Sequence, residues 1–205
     1  MEDLSFTSMV CSKILHDLAG PIGAVMNGAE LLEEDTGVVD QAEIIQLLKD
    51  STDQLNANLQ VFRIAFGALS SGEGQVDIAM FREALDVYAK FRSFPILWET
   101  SGVMADKNLV KIILNSVFIL GDAVRKKGQV RITLRGDSSD HSFNVAGLGE
   151  GVKISPEIRN LLEGSENPPF TTANISAYSI RSLAASLRLK LSVNEAPTGV
   201  IIIGQ

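Results

Sequence analysis

Over the first third of the chain, apolar side chains recur at intervals of three and four residues, and that repeat limits the fold more than any other feature. They stand at Ile14, Leu18, Ile22, Val25, Ala29 and Leu32, break at Asp35-Thr36-Gly37, and resume at Ile44, Leu48, Ser51, Leu55, Leu59, Phe62, Phe66 and Leu69. This is the spacing of a helical seam. The small, polar run Ser70 to Gly74 closes the segment, as a linker does. Two long helices joined by a short turn form an antiparallel hairpin, and one hairpin has an apolar stripe with nothing opposite it. Two hairpins packed together make a four-helix bundle, so a homodimer is expected. The alternative is that the hairpin folds back onto the rest of its own chain.

After Val76 the pattern becomes mixed. Helices are expected at Ala79–Phe91, Asn108–Arg125 and Ile175–Leu187, and strands at Pro95–Trp98, Gln129–Arg135, Ser142–Ala146, Leu189–Val193 and Val200–Ile203. That order predicts an α/β sandwich with helices on one face of a mixed sheet. The expected division is therefore a hairpin domain, residues 1–72, and an α/β domain, residues 73–205, giving an α+β chain.

Bulk properties narrow the function. The chain has 205 residues, 45% of them hydrophobic, and a formal net charge of −7. An acidic chain without a basic stripe is a poor nucleic-acid binder and is repelled by an anionic membrane surface. No apolar run reaches the ~18–20 residues that span a bilayer, and the first ten residues do not resemble a signal peptide. Cys11 is the only cysteine, which excludes an internal disulfide and reads as a small buried apolar side chain in a reducing, cytoplasmic setting.

The sequence contains two histidines. His141 follows Asp137-Ser138-Ser139-Asp140, a turn composition, and is expected in an exposed loop. His16 is different. At ~100° per residue it lies about 200° from Leu18, pointing away from the seam, and Gly20, Gly23 and Asn27 fall within ~40° of its direction. Glycine costs ~1 kcal/mol against alanine inside a helix, so two on one exposed face serve close approach by another protein better than they serve the helix. Pro21 should kink the helix or free the carbonyl of Asp17. A neutral imidazole can attack phosphorus, and the adjacent Asp17 can take the proton of its other ring nitrogen. From spacing alone, an ordinary exposed His-Asp pair stays open beside this reading. Lys13, one turn before His16, and Arg63, brought level with it by the hairpin, are expected docking residues.

His16-Asp17-Leu18-Ala19-Gly20-Pro21 resembles the phosphoacceptor box of two-component sensor histidine kinases. The longer run to Asn27-Gly28-Ala29-Glu30-Leu31-Leu32 is more similar to the alphaproteobacterial ChpT-type histidine phosphotransferases. That resemblance implies a dimeric four-helix bundle followed by a degenerate histidine-kinase ATPase-like domain. It implies a phosphorelay activity, in which His16, assisted by Asp17, shuttles a phosphoryl group between the aspartates of response-regulator receiver domains, one of them carried by a hybrid histidine kinase. Lys13, Gly20, Gly23, Ala24, Asn27 and Arg63 would then meet the receiver. Mg²⁺ is expected on the partner receiver, with no cofactor and no ATP on this chain.

Three departures from the kinase pattern support the last expectation. Asn115 resembles the outer helical Asn, but Ile119 stands where a metal-binding Asn would follow, and an aliphatic side chain cannot ligate Mg²⁺. Gly147-Leu148-Gly149-Glu150-Gly151 has the spacing of the adenine loop, with Gly147 in place of the adenine-reading Asp; as residues alone, it reads as a tight turn. The stretch Asn167–Ile180 lacks the glycines of a phosphate loop. Gly20 replaces a hydroxyl or amide residue that positions a hydrolytic water in related proteins, which argues against phosphatase activity and leaves transfer intact. The competing function is a dimeric interaction module or anti-regulator that binds response regulators without chemistry. It would tolerate His16→Ala, whereas a phosphotransferase would not. A metal enzyme is disfavoured for want of a ligand set.

Overall fold

The computed structural model describes residues 2–34, 40–67, 74–100, 104–124, 128–135 and 142–205. The expected turn at Asp35-Thr36-Gly37, most of the linker, Arg125 and His141 lie outside the described residues.

Helices α1 (Glu2–Glu34) and α2 (Gln41–Phe66) form the expected pair. Asp40 caps α2, its side chain accepting from the Ala42 N–H at 2.9 Å, which satisfies one of the orphan donors of a helix start. The two helices approach closely at Gly28, where a Cβ would stand 2.8 Å from Leu48 Cδ2.

The rest of the chain runs β1 (Gln75–Asp77), α3 (Ile78–Phe91), β2 (Ile96–Thr100), β3 (Met104–Asp106), α4 (Lys107–Val124), β4 (Gln129–Arg135), β5 (Ser142–Leu148), α5 (Pro156–Glu163), α6 (Ile175–Ser186), β6 (Leu191–Ala196) and β7 (Gly199–Gly204). A five-stranded sheet has the order β2-β4-β5-β7-β6, with β2 and β4 parallel and the other pairs antiparallel. Strand alternation buries Val130, Ile132, Phe143, Val145, Val200 and Ile202, as period-2 side chains must on one covered face. Helix α4 packs against β4, β5 and α6. This is the expected mixed sandwich. The pattern did not indicate β1 and β3, which pair only with each other, or α5, which opens with a Ser155 cap and Pro156 and ends at a left-handed Gly164.

The homodimer reading weighed one hairpin stripe against an open face, but α1 carries more than one apolar face. Pro21 and Gly28 are buried and Ile14, Leu18 and Val25 half-buried within the chain, whereas Ile22 is 45% exposed and Ala29 is exposed as well. The end of α2 also folds onto its own chain. Val61, Phe62 and Ala65 belong to the same core as Ile78, Phe81, Leu85 and Tyr88 of α3 and Leu109 to Phe118 of α4. Phe118 meets Phe62, Phe66 and Tyr88 at ring-centroid distances of 5.8, 6.1 and 5.5 Å. Lys111 Nζ donates to the carbonyl of Gly67 at 2.8 Å and so caps the end of α2. At the other end of α1, Phe6 packs edge-on against Phe170 at 5.8 Å. Among the described residues, no helix is long and apolar enough to cross a membrane.

Candidate functional site

Pro21 lies inside α1 and has no N–H to give to the carbonyl four residues back, that of Asp17. The structure fills the gap from α2: Asn58 Nδ2 donates to the Asp17 carbonyl at 3.2 Å. Asn58 is 1% exposed, so an otherwise orphaned helical acceptor is paired inside the hairpin, one residue from the reactive side chain.

His16 projects outward, its side chain 86% exposed. Its Nδ1 lies 3.2 Å from Asp17 Oδ1. A carboxylate accepts only, so the contact is a hydrogen bond in the tautomer with the proton on Nδ1, the one that leaves the lone pair of the neutral ring on Nε2. The other oxygen of Asp17 is held by two cations, Lys13 Nζ at 3.4 Å and Arg92 at 3.3 Å. Asp17 itself is only 10% exposed. Arg92 stands at the C-terminal cap of α3, with its guanidinium 5.4 Å from the centre of the Tyr88 ring. Burial opposes its charge, and Tyr88, Asp17 and Asp122 more than compensate, so its pKa is raised. Burial pushes the Tyr88 phenol up; Arg92 pulls against this, and Asp17 and Asp122 add to it.

The expected docking residues separate. Around Gly20 and Gly23 a Cβ would meet nothing within 4 Å, and Asn27 is exposed and Ala24 half-exposed, so these four border open solvent beside His16. Lys13 does not present its charge outward as expected. Its side chain is 16% exposed, its ammonium turned to Asp17 and lying 5.9 Å from the centre of the Phe118 ring. Arg63 is exposed, but Asn58 is the α2 residue opposite Asp17, which places Arg63 about 7.5 Å further along α2 at 1.5 Å per residue. Sequence reasoning missed Arg92, Tyr88 and Asn58. The Lys13–Asp17 spacing of four on one helix was a visible signal; Arg92 had none.

In the second domain, the residues at the kinase-like nucleotide positions are engaged within the fold. Gly147 is no surface turn: it is buried in β5, and a Cβ there would stand 3.2 Å from Val124 Cγ1 and 3.3 Å from Leu120 Cδ2. The expected loop starts after it, where Gly149 and Gly151 have positive φ. Asn115 is fully buried and spends its amide on the Lys111 carbonyl of its own helix at 2.9 Å. Ile119 packs against the core. The segment before α6 is pinned by Asn174, whose Nδ2 donates to Glu157 Oε1 and the Pro169 carbonyl, both at 2.9 Å. Phe170 stacks edge-on against Tyr178, and the Tyr178 hydroxyl donates to the Pro168 carbonyl.

An outward histidine paired with a carboxylate thus stands on a helical hairpin that is followed by an α/β sandwich, and the comparisons with known proteins give that arrangement its class. Residues 80–199 match the family model of the histidine phosphotransferase C-terminal domain. The chain is 30% identical over 199 residues to the protein phosphotransferase ChpT of Brucella abortus (strain 2308), spanning 97% of this chain and 94% of that one. A solved structure described as a bacterial phosphotransferase superposes with a TM-score of 0.85 at 28% identity, over 98% of this chain and 96% of the other. The chain belongs to the histidine phosphotransferase family.

Proposed function

We propose that the protein relays phosphoryl groups between response-regulator receiver domains through His16. The observation that carries this is the orientation of one side chain: Nδ1 is anchored by Asp17 and the opposite nitrogen is open to solvent. In the forward step the Nε2 lone pair forms a bond to phosphorus, and the P–O bond to the receiver's aspartate breaks with its electrons leaving on the carboxylate. The ring acquires positive charge, and Asp17, already at hydrogen-bond distance, stabilises it. The same step run backwards loads a second receiver. The receivers supply Mg²⁺ and their own active-site lysine; this chain supplies nucleophile, orientation and docking surface, and takes no nucleotide. Gly20, Gly23, Ala24 and Asn27 form the face on which the receiver sits, with Arg63 at its edge. One of the receivers belongs to a hybrid histidine kinase in this reading, and the setting is cytoplasmic.

The protein acts as a homodimer in the same reading. Leu4, Leu15, Ile22 and Met26 are exposed and fall within about 60° of one another on α1 at ~100° per residue. Ile45 and Leu59 are exposed on α2. Pairing these stripes completes a four-helix bundle and leaves the His16 face outward.

The test is transfer of radiolabel from a phosphorylated receiver domain to this protein and to His16→Ala, without ATP. Acid-labile, base-stable label on the wild type and none on the variant is expected. No label from several receivers on a folded protein would replace this reading with a non-catalytic interaction module.

A further inference from the structure

We propose that Arg92 is a positioning residue for transfer: it sets the Asp17 carboxylate from the second domain, and through it the ring of His16. This rests on the reading of His16 as the phosphoacceptor. The two oxygens of Asp17 are divided. Oδ1 faces His16 Nδ1 at 3.2 Å, and Oδ2 faces Lys13 at 3.4 Å and Arg92 at 3.3 Å. An aspartate on a helix surface samples several rotamers; holding one oxygen selects the rotamer that presents the other to the ring. Lys13 shares α1 with Asp17 and rides on a flexible stem, so it can follow the carboxylate wherever it turns.

Arg92 is held more closely. Its backbone ends α3, with its N–H directed to the carbonyls of Tyr88, Ala89 and Lys90. The next residue, Ser93, is held at φ 61°, a conformation that L side chains rarely adopt. Its guanidinium lies on the Tyr88 ring, which is itself packed against Phe118 at 5.5 Å. The groups facing this pair are thus Lys13 from α1, Tyr88 from α3 and Asp122 from α4. A planar cation fixed to the second domain therefore supplies the one contact to Asp17 that the hairpin cannot make for itself. The consequence concerns the ring proton. Neutral imidazole in water favours the proton on Nε2, the nitrogen that must attack; a carboxylate fixed beside Nδ1 reverses that preference.

The experiment uses the full chain. Label uptake from a phosphorylated receiver is measured against receiver concentration for wild type, Arg92→Gln, Arg92→Lys, Asp17→Asn and the Arg92→Gln/Asp17→Asn double variant. Nitrogen-15 spectra of His16 give the tautomer without any receiver. We expect Arg92→Gln to lower the maximal rate about tenfold, less than the ~10²–10⁴-fold of a general acid–base group because Arg92 acts only through Asp17, at unchanged half-saturation. Arg92→Lys should recover part of that loss, and the double variant should be no slower than Asp17→Asn alone. The Nδ1–H signature of His16 should weaken in Arg92→Gln.

The inference is overturned if Arg92→Gln takes label at the wild-type rate. It is equally overturned if the two substitutions multiply, or if only half-saturation rises, which would make Arg92 a receiver contact. Should Arg92→Gln misfold, Arg92→Lys and the His16 tautomer carry the decision. If wild type takes no label, the phosphorelay reading falls, and the tautomer comparison still decides whether Arg92 orders the pair.

Discussion

Asn58 offers a stability measurement whose size can be worked out and whose logic can fail cleanly. Its Nδ2 is the donor that replaces the N–H missing at Pro21, bonding the Asp17 carbonyl at 3.2 Å. Asn58→Ala removes that donor and leaves the carbonyl without a partner inside the hairpin, a penalty of about 1–3 kcal/mol. It also removes Asn58 Oδ1, a buried acceptor with no hydrogen-bond partner in the structure, which offsets part of the loss. A net cost of ~2 kcal/mol follows, or a fall in Tm of roughly 4–8 °C for a chain of this length.

Pro21→Ala provides the control, because an alanine N–H at that position can bond the Asp17 carbonyl along the helix. In that background Asn58→Ala should cost less than ~1 kcal/mol, the remainder being the coupling energy of neighbours that share one acceptor. The assay is urea and thermal denaturation of the four proteins at one fixed concentration, since association makes Tm concentration-dependent. Equal costs of Asn58→Ala with and without Pro21 would refute the reasoning: Asn58 would then be packing, not a substitute donor.

The glycines beside His16 should trade stability against activity. Gly20→Ala and Gly23→Ala each meet open space and should each gain ~0.5–1 kcal/mol of helix stability; Tm should rise while label uptake falls, and uptake at the wild-type rate would take these positions off the docking face. Gly147→Asp puts a carboxylate against Leu120 and Val124 and should cost at least ~3 kcal/mol by urea denaturation. Calorimetry with ATP should show no binding before or after that change, and binding to the variant would reverse the reading of this site. Ile22→Glu, in the exposed stripe of α1, should convert a dimer to monomers in sedimentation; an unchanged mass would move the interface elsewhere.

Period and spacing carried much of this molecule. Gln129–Arg135 is a strand with the expected limits, and α3, α4 and α6 each lie within a residue or two of where their apolar pattern places them. Long elements repeat their signal enough times to be read. Three-residue strands such as β1 and β3 do not, and their pairing depends on a partner some thirty positions away. The wheel placed His16 and its two glycines outward because exposure depends only on one helix. Lys13 was placed by its spacing from His16 alone, and its ammonium turns instead to the Asp17 carboxylate and the Phe118 ring. The wheel was blind to Arg92, whose role exists only once α3 is folded against the hairpin. The seam was also too simple: residues spaced by three and four drift around a helix, so Ile22 and Ala29 lie roughly 20–80° round from Ile14 and Leu18, at the exposed edge of the stripe.

The aromatic junction of Phe62, Phe66, Tyr88 and Phe118 bears on why such a chain keeps its second half. A second domain tied to the hairpin by a linker alone would be free to vary without regard to it. Helices α3 and α4 are not free, because they finish the core of α2 and bring Arg92 to Asp17. Substitutions there are expected to reach His16 through Asp17. The second half thereby serves as scaffolding for the first, and the site is a property of the whole chain rather than of the hairpin alone.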